Sequence, residues 1–151
     1  MDYEIVKVKE KMVAGITATT SNKDENMTQI IGGLWQSFFD PNIYTSISNK
    51  KNNYIIGLYS NYENGVNGSY DATVCCEVST CDNLPHGVNV KTIPSGKYAK
   101  FVVHGHMQKA VSEFWEKLWS MDLDRKFSSD FEEYQNSDME NCDIHVYIAL
   151  N

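Results

Sequence analysis

The segment Phe131-Glu132-Glu133-Tyr134 sets a carboxylate between two aromatic residues. A carboxylate among ring faces is a receptor for a cation, because both attract positive charge. Buried and empty, such a group either holds a tyrosine hydroxyl or has a raised pKa. Glu132 also lies beside Asp130 and Glu133, so it fits equally a solvated acidic run. The residues alone leave both readings open. Trp35, Trp115 and Trp119, with Phe38 and Phe39, could supply π surfaces facing a cleft or pack as core. Among nine tyrosines, Tyr134 adjoins the same segment, and Tyr59 and Tyr147 fall on strand-like stretches expected to border a groove.

Other chemistries find less support. His104-Gly105-His106 would present two imidazoles on one strand face, but no third and fourth ligand lie nearby, so no metal is expected. Cys75, Cys76, Cys81 and Cys142 lack paired C-x-x-C spacing and read as buried free thiols, with Cys75 and Cys76 on opposite faces of a strand. There is no phosphate-binding glycine loop, G-x-S-x-G elbow or dinucleotide fingerprint, and no cofactor is expected.

The elements that must position these groups belong to a chain of 151 residues with net charge −7 and 42% hydrophobic residues, enough for one globular domain, 1–151. Arg125 is its single arginine. An acidic chain with one arginine is poorly suited to phosphate backbones, so no direct nucleic-acid partner is expected, and a cationic or neutral ligand suits the field better. No apolar run approaches the roughly 18 residues that span a bilayer, and no basic-apolar leader opens the chain. No membrane partner and a cytoplasmic location are therefore expected.

Tyr3 to Thr20 reads as a long or broken strand, and 27–38 as an amphipathic helix with Asn22 and Asp24 available as caps and Pro41 beyond its end. Tyr54 to Tyr62 and Tyr70 to Val78 read as a hairpin across Asn64-Gly65. Val88 to Val103 reads as a strand bent at Pro94-Ser95-Gly96, followed by a helix over 107–120 and two short strands, Phe127 to Tyr134 and Asp143 to Leu150. The apolar positions of the second helix repeat those of the first 80 residues later, as in Trp35 and Trp115. The expected fold is α+β: tandem duplicated β-α-β-β units, halves about 1–80 and 86–151, related by a pseudo-twofold axis. An antiparallel sheet would carry two main helices and a central ligand cleft.

Five landmarks in order carry a family resemblance. They are Tyr54-Ile55-Ile56-Gly57-Leu58-Tyr59; Tyr70-Asp71-Ala72-Thr73-Val74-Cys75-Cys76-Glu77-Val78; Ile93-Pro94-Ser95-Gly96-Lys97-Tyr98-Ala99-Lys100-Phe101 leading into Gly105; the helix with Trp115 and Trp119; and Phe131 to Tyr134 before the closing strand. Together they resemble the GyrI-like family, the effector-binding domain of AraC-type and MerR-type multidrug regulators. The pattern departs at Cys75 or Cys76, where the family often has glycine, and at Ala149, where proline is common. The resemblance implies an aromatic pocket between the halves, holding Glu132 as its glutamate. It would take lipophilic, cationic small molecules, with Tyr134, Tyr59, Tyr147, Trp119, Trp115, Trp35 and Phe39 as lining. It implies a sensor or sequestering domain, working with a partner regulator or enzyme. Two alternatives come with the family: a hydrolase with Glu132 as base and Tyr134 or Tyr147 as proton donor, and an inhibitor that contacts a DNA-processing enzyme.

Overall fold

Charged Lys9-Glu10 and the Pro94-Ser95 pair, which lacks one backbone donor, each break a long apolar strand into two. The results are β1 (Glu4–Val8) and β2 (Lys11–Ser21) in the first half, and β5 (Asn89–Ile93) and β6 (Gly96–Gly105) in the second. The remaining elements are α1 (Met27–Phe39), a single turn α2 (Ile43–Ser46), β3 (Ile55–Ser60), β4 (Ser69–Glu77), α3 (Met107–Trp119), β7 (Ser129–Tyr134) and β8 (Cys142–Ala149). The structure is a computed structural model and describes residues 1–39 and 43–151; Pro41 lies outside them.

All pairings between these strands are antiparallel, in one sheet ordered β1-β6-β8-β7-β3-β4-β2-β5. The order reads the same from either end once halves are exchanged. Each leading strand crosses over: β1 pairs with β6 of the other half (Glu4↔Lys100) and β5 pairs with β2 (Asn89↔Gly15). In a flat sheet β1 and β2 would stand about 29 Å apart, six strand spacings, yet two residues connect them. The sheet must therefore curl strongly, and β5 and β6, likewise two residues apart, impose the same closure.

Alternation along the strands divides the interior. One face, inside the curl, buries Val13, Ile56, Leu58, Cys75, Tyr98 and Phe131. The other carries the helices: Leu34 and Phe38 of α1 cluster with Val74 and Cys76 of the sheet, and Phe114 and Leu118 of α3 with Val146 and Ile148. The two helices share one burial pattern residue by residue at a shift of 80, with Leu34 and Phe38 buried where Phe114 and Leu118 are. This agreement is stronger evidence of duplication than the apolar template alone, because it includes the exposed positions.

Several local expectations are corrected. Asn22 does not cap α1; it accepts from Tyr70 Oη (3.0 Å), while Asp24 closes the turn by accepting from Asn26 N (2.8 Å). His106 leaves the strand to cap α3, accepting from Lys109 N (3.3 Å), so it does not share a strand face with His104. Cys81 is exposed, whereas the other three thiols are buried, and Cys75 and Cys76 do fall on opposite faces. Phe127 stands at φ 58°, a turn conformation that delays the start of β7 to Ser129.

Candidate functional site

The pseudo-twofold axis passes between β3 and β7, where Gly57 lies opposite Glu132. Gly57 and Glu132 are separated by the same 75 residues as Tyr59 and Tyr134, so each tyrosine is the other's counterpart. Each half's tryptophan packs edge-on against the other half's tyrosine: Trp35 on Tyr134 (4.9 Å, 80°) and Trp115 on Tyr59 (5.4 Å, 79°). A perfectly symmetric duplication would have placed two identical residues face to face at the axis. Here one is a glycine and the other a glutamate.

That asymmetry makes room for the carboxylate. A Cβ on Gly57 would sit 2.7 Å from Glu132 Oε1, closer than such atoms approach. Glu132 is 1% exposed. Its Oε2 accepts from Trp115 Nε1 (2.7 Å) and Tyr59 Oη (3.1 Å), and its Oε1 from Tyr134 Oη (2.8 Å). All three donors are neutral. Burial pushes the Glu132 pKa up more strongly than these three bonds pull it down. Burial, then the neighbouring glutamate, drives the Tyr59 and Tyr134 hydroxyls well above the ordinary tyrosine range, so both are protonated donors at neutral pH.

Above this floor a cavity of about 1360 Å³ opens between α1 and α3, larger than most single-ligand pockets. Seven of the eight residues expected from sequence are brought together there: Glu132, Tyr134, Tyr59, Trp119, Trp115, Trp35 and Phe39 all line it. Phe39 and Trp119, the last residues of α1 and α3, are 46% and 47% exposed, which places them at the rim. Tyr147 is the exception and is corrected: on β8 the residues Ile144, Val146 and Ile148 turn to the helices, so Tyr147 turns away and stacks on Phe131 (4.6 Å, 15°) on the opposite face.

Four further residues escaped the sequence reading. Gly57 carried no signal by itself, because only its pairing partner explains it. Asp130 is fully buried behind the cavity wall: Oδ2 accepts from Arg125 Nη2 (2.7 Å) and Tyr62 Oη (2.7 Å), and Oδ1 accepts from Ala149 N (2.9 Å). Arg125 and Tyr62 line the cavity. The usable signal was the chain's lone arginine five residues before an acid.

Residues 4–150 match the family model of Cass2, the integron-associated effector binding protein. The chain belongs to this family. It is a GyrI-like family, as the five landmarks imply. The chain is also 33% identical over 148 residues, covering 93% of it and 92% of the relative, to a putative transcriptional regulator protein, YobU, of Bacillus subtilis. Among solved structures, the integron cassette protein of Vibrio cholerae superposes with a TM-score of 0.80 at 26% identity, over 99% of this chain and 95% of that one. A protein solved bound to tetraphenylphosphonium, SAV2435, has a TM-score of 0.81 at 20% identity over 100% and 94%, and shares the fold. The cavity thus belongs to an effector-binding domain for small molecules. Among the described residues no helix is long and apolar enough to cross a membrane.

Proposed function

We propose that the cavity captures lipophilic organic cations, with Glu132 as the charge that receives them, and that the protein serves as a cytoplasmic sensor or sequestering domain in transcription regulation or drug response. The observation that carries this reading is a buried carboxylate whose bonds all come from neutral donors, at the floor of an aromatic cavity. Among the described residues no lysine, arginine or histidine forms an ion pair with it. Desolvation leaves its charge uncompensated, and a bound cation relieves that cost. The rings of Trp35 and Trp115 then offer π faces to the ligand's own aromatic groups. Binding of tetraphenylphosphonium by the structural relative SAV2435 is consistent with this ligand class.

The direct test is calorimetry with two ions of one shape and opposite charge, tetraphenylphosphonium and tetraphenylborate. The expected result is saturable binding of the phosphonium and none of the borate. Equal binding of both would mean that the cavity reads shape alone and that Glu132 is no receptor.

A further inference from the structure

The cavity lining includes two cationic side chains that the cation-receptor reading does not use, Lys109 and Arg125; Lys109 is exposed, whereas Arg125 is held within the wall. Arg125 lines the cavity, and its side chain is 9% exposed. Its guanidinium is clamped from behind and from one side. Asp130, fully buried and not part of the cavity lining, takes Nη2 at 2.7 Å, and the Phe127 ring lies under the guanidinium carbon at 4.2 Å. Arg125 Nε is buried and has no hydrogen-bond partner among the described residues. A guanidinium offers five N–H donors, so this one is fixed in place yet under-used. Asp130, by contrast, is spent: both its oxygens are occupied, including a backbone N–H from Ala149. What faces the cavity at this end is therefore the cation and the hydroxyl-bearing ring of Tyr62, not the acid behind them.

Asp130 and Glu132 stand two residues apart on one face of β7, so the Arg125 clamp and the Glu132 floor are separated by about 7 Å along the strand. The cavity is also larger than a compact cation requires. We propose that Arg125 forms a second subsite, which takes an oxygen acceptor, a carboxylate foremost, carried on an arm by the same ligand whose cationic head sits over Glu132. The preferred ligands are then amphiphilic zwitterions or cations with a remote acceptor group. This rests on the Glu132 reading for the position of the head and adds the second anchor.

The test compares pentyltriphenylphosphonium with (4-carboxybutyl)triphenylphosphonium, equal in length and differing in the terminal group, on the wild-type protein and on Arg125→Lys. Lysine keeps the charge next to Asp130 but loses the fork. The expected result is that the carboxylate compound binds the wild type roughly tenfold tighter than the pentyl compound, as one charge-assisted hydrogen-bonded contact allows, and that Arg125→Lys removes most of that advantage while leaving pentyl binding unchanged. Equal or weaker binding of the carboxylate compound to wild type overturns the subsite while the Glu132 reading stands, provided the pentyl compound binds. An advantage that survives in Arg125→Lys also overturns it. Failure of both compounds to bind overturns the two readings together. The wild-type comparison needs no variant, so it decides the matter even if Arg125→Lys does not fold.

Discussion

Asp130 and Glu132 are two carboxylates on one face of one strand, both removed from solvent, and their surroundings give them opposite tasks. Asp130 meets a guanidinium, a phenol and a backbone N–H, and so closes a finished structural unit. Glu132 meets only an indole and two phenols, which orient it without cancelling its charge. Equal burial therefore says little about function; the charge state of the donors decides it. A buried acid with a cationic partner holds the fold, and one with neutral partners is poised for a charge from outside.

Substitution should separate the two sharply. Asp130→Ala leaves Arg125 buried without its counter-charge and should cost about 3 to 5 kcal/mol in urea unfolding. Glu132→Gln should leave stability within about 1 kcal/mol of wild type, the usual range for trading one hydrogen-bonded group for another. The sign of its pH dependence follows from the raised pKa of Glu132. That group stabilises the fold fully below its unfolded pKa, and the contribution is lost as pH rises through the higher folded value. Glu132→Gln should therefore gain on wild type between acid pH and pH 8, the reverse of an ion-paired acid. A variant that instead loses ground with rising pH would erase the contrast.

Gly57→Ala tests whether the axis must be asymmetric. Its added Cβ would meet Glu132 Oε1 at 2.7 Å, so a loss of about 1 to 3 kcal/mol of stability is expected, with phosphonium binding weakened as the carboxylate is displaced. Wild-type affinity in Gly57→Ala would show that the carboxylate has other room. The smallest effect compares two tyrosines expected alike from sequence. Tyr134→Phe removes one donor to Glu132 and should change phosphonium affinity measurably, by about 1 kcal/mol, whereas Tyr147→Phe, on the far face, should leave it unchanged. Equal effects in fluorescence titration would undo the facing assigned to β8.

The two main helices, the β3–β4 hairpin and the duplication are legible because periodicity, turn residues and an 80-residue repeat show in the order of residues alone; Trp35 comes with that repeat, and Trp115 and Glu132 with landmarks of known order. The crossing of β1 and β5 between halves was not, because strand pairing across the chain leaves no local trace. Tyr147 was misplaced for a related reason: a strand's two faces look alike until one knows which packs against the helices. Gly57 becomes visible only through register, and the Asp130–Arg125 pair, hinted at by a lone arginine near an acid, is fixed only by three-dimensional contact.

Glu132 is proposed here as the charge that receives the ligand. That role is decided by titrating tetraphenylphosphonium into wild type and Glu132→Gln between pH 8 and pH 5. The variant should bind roughly ten- to a hundredfold more weakly at pH 8, the worth of one desolvated charge partner, with a smaller pH dependence than the wild type. Wild-type affinity should fall toward the variant's as acid protonates Glu132, beginning above the usual glutamate range because burial raises its pKa. Indistinguishable affinities at pH 8 would contradict it.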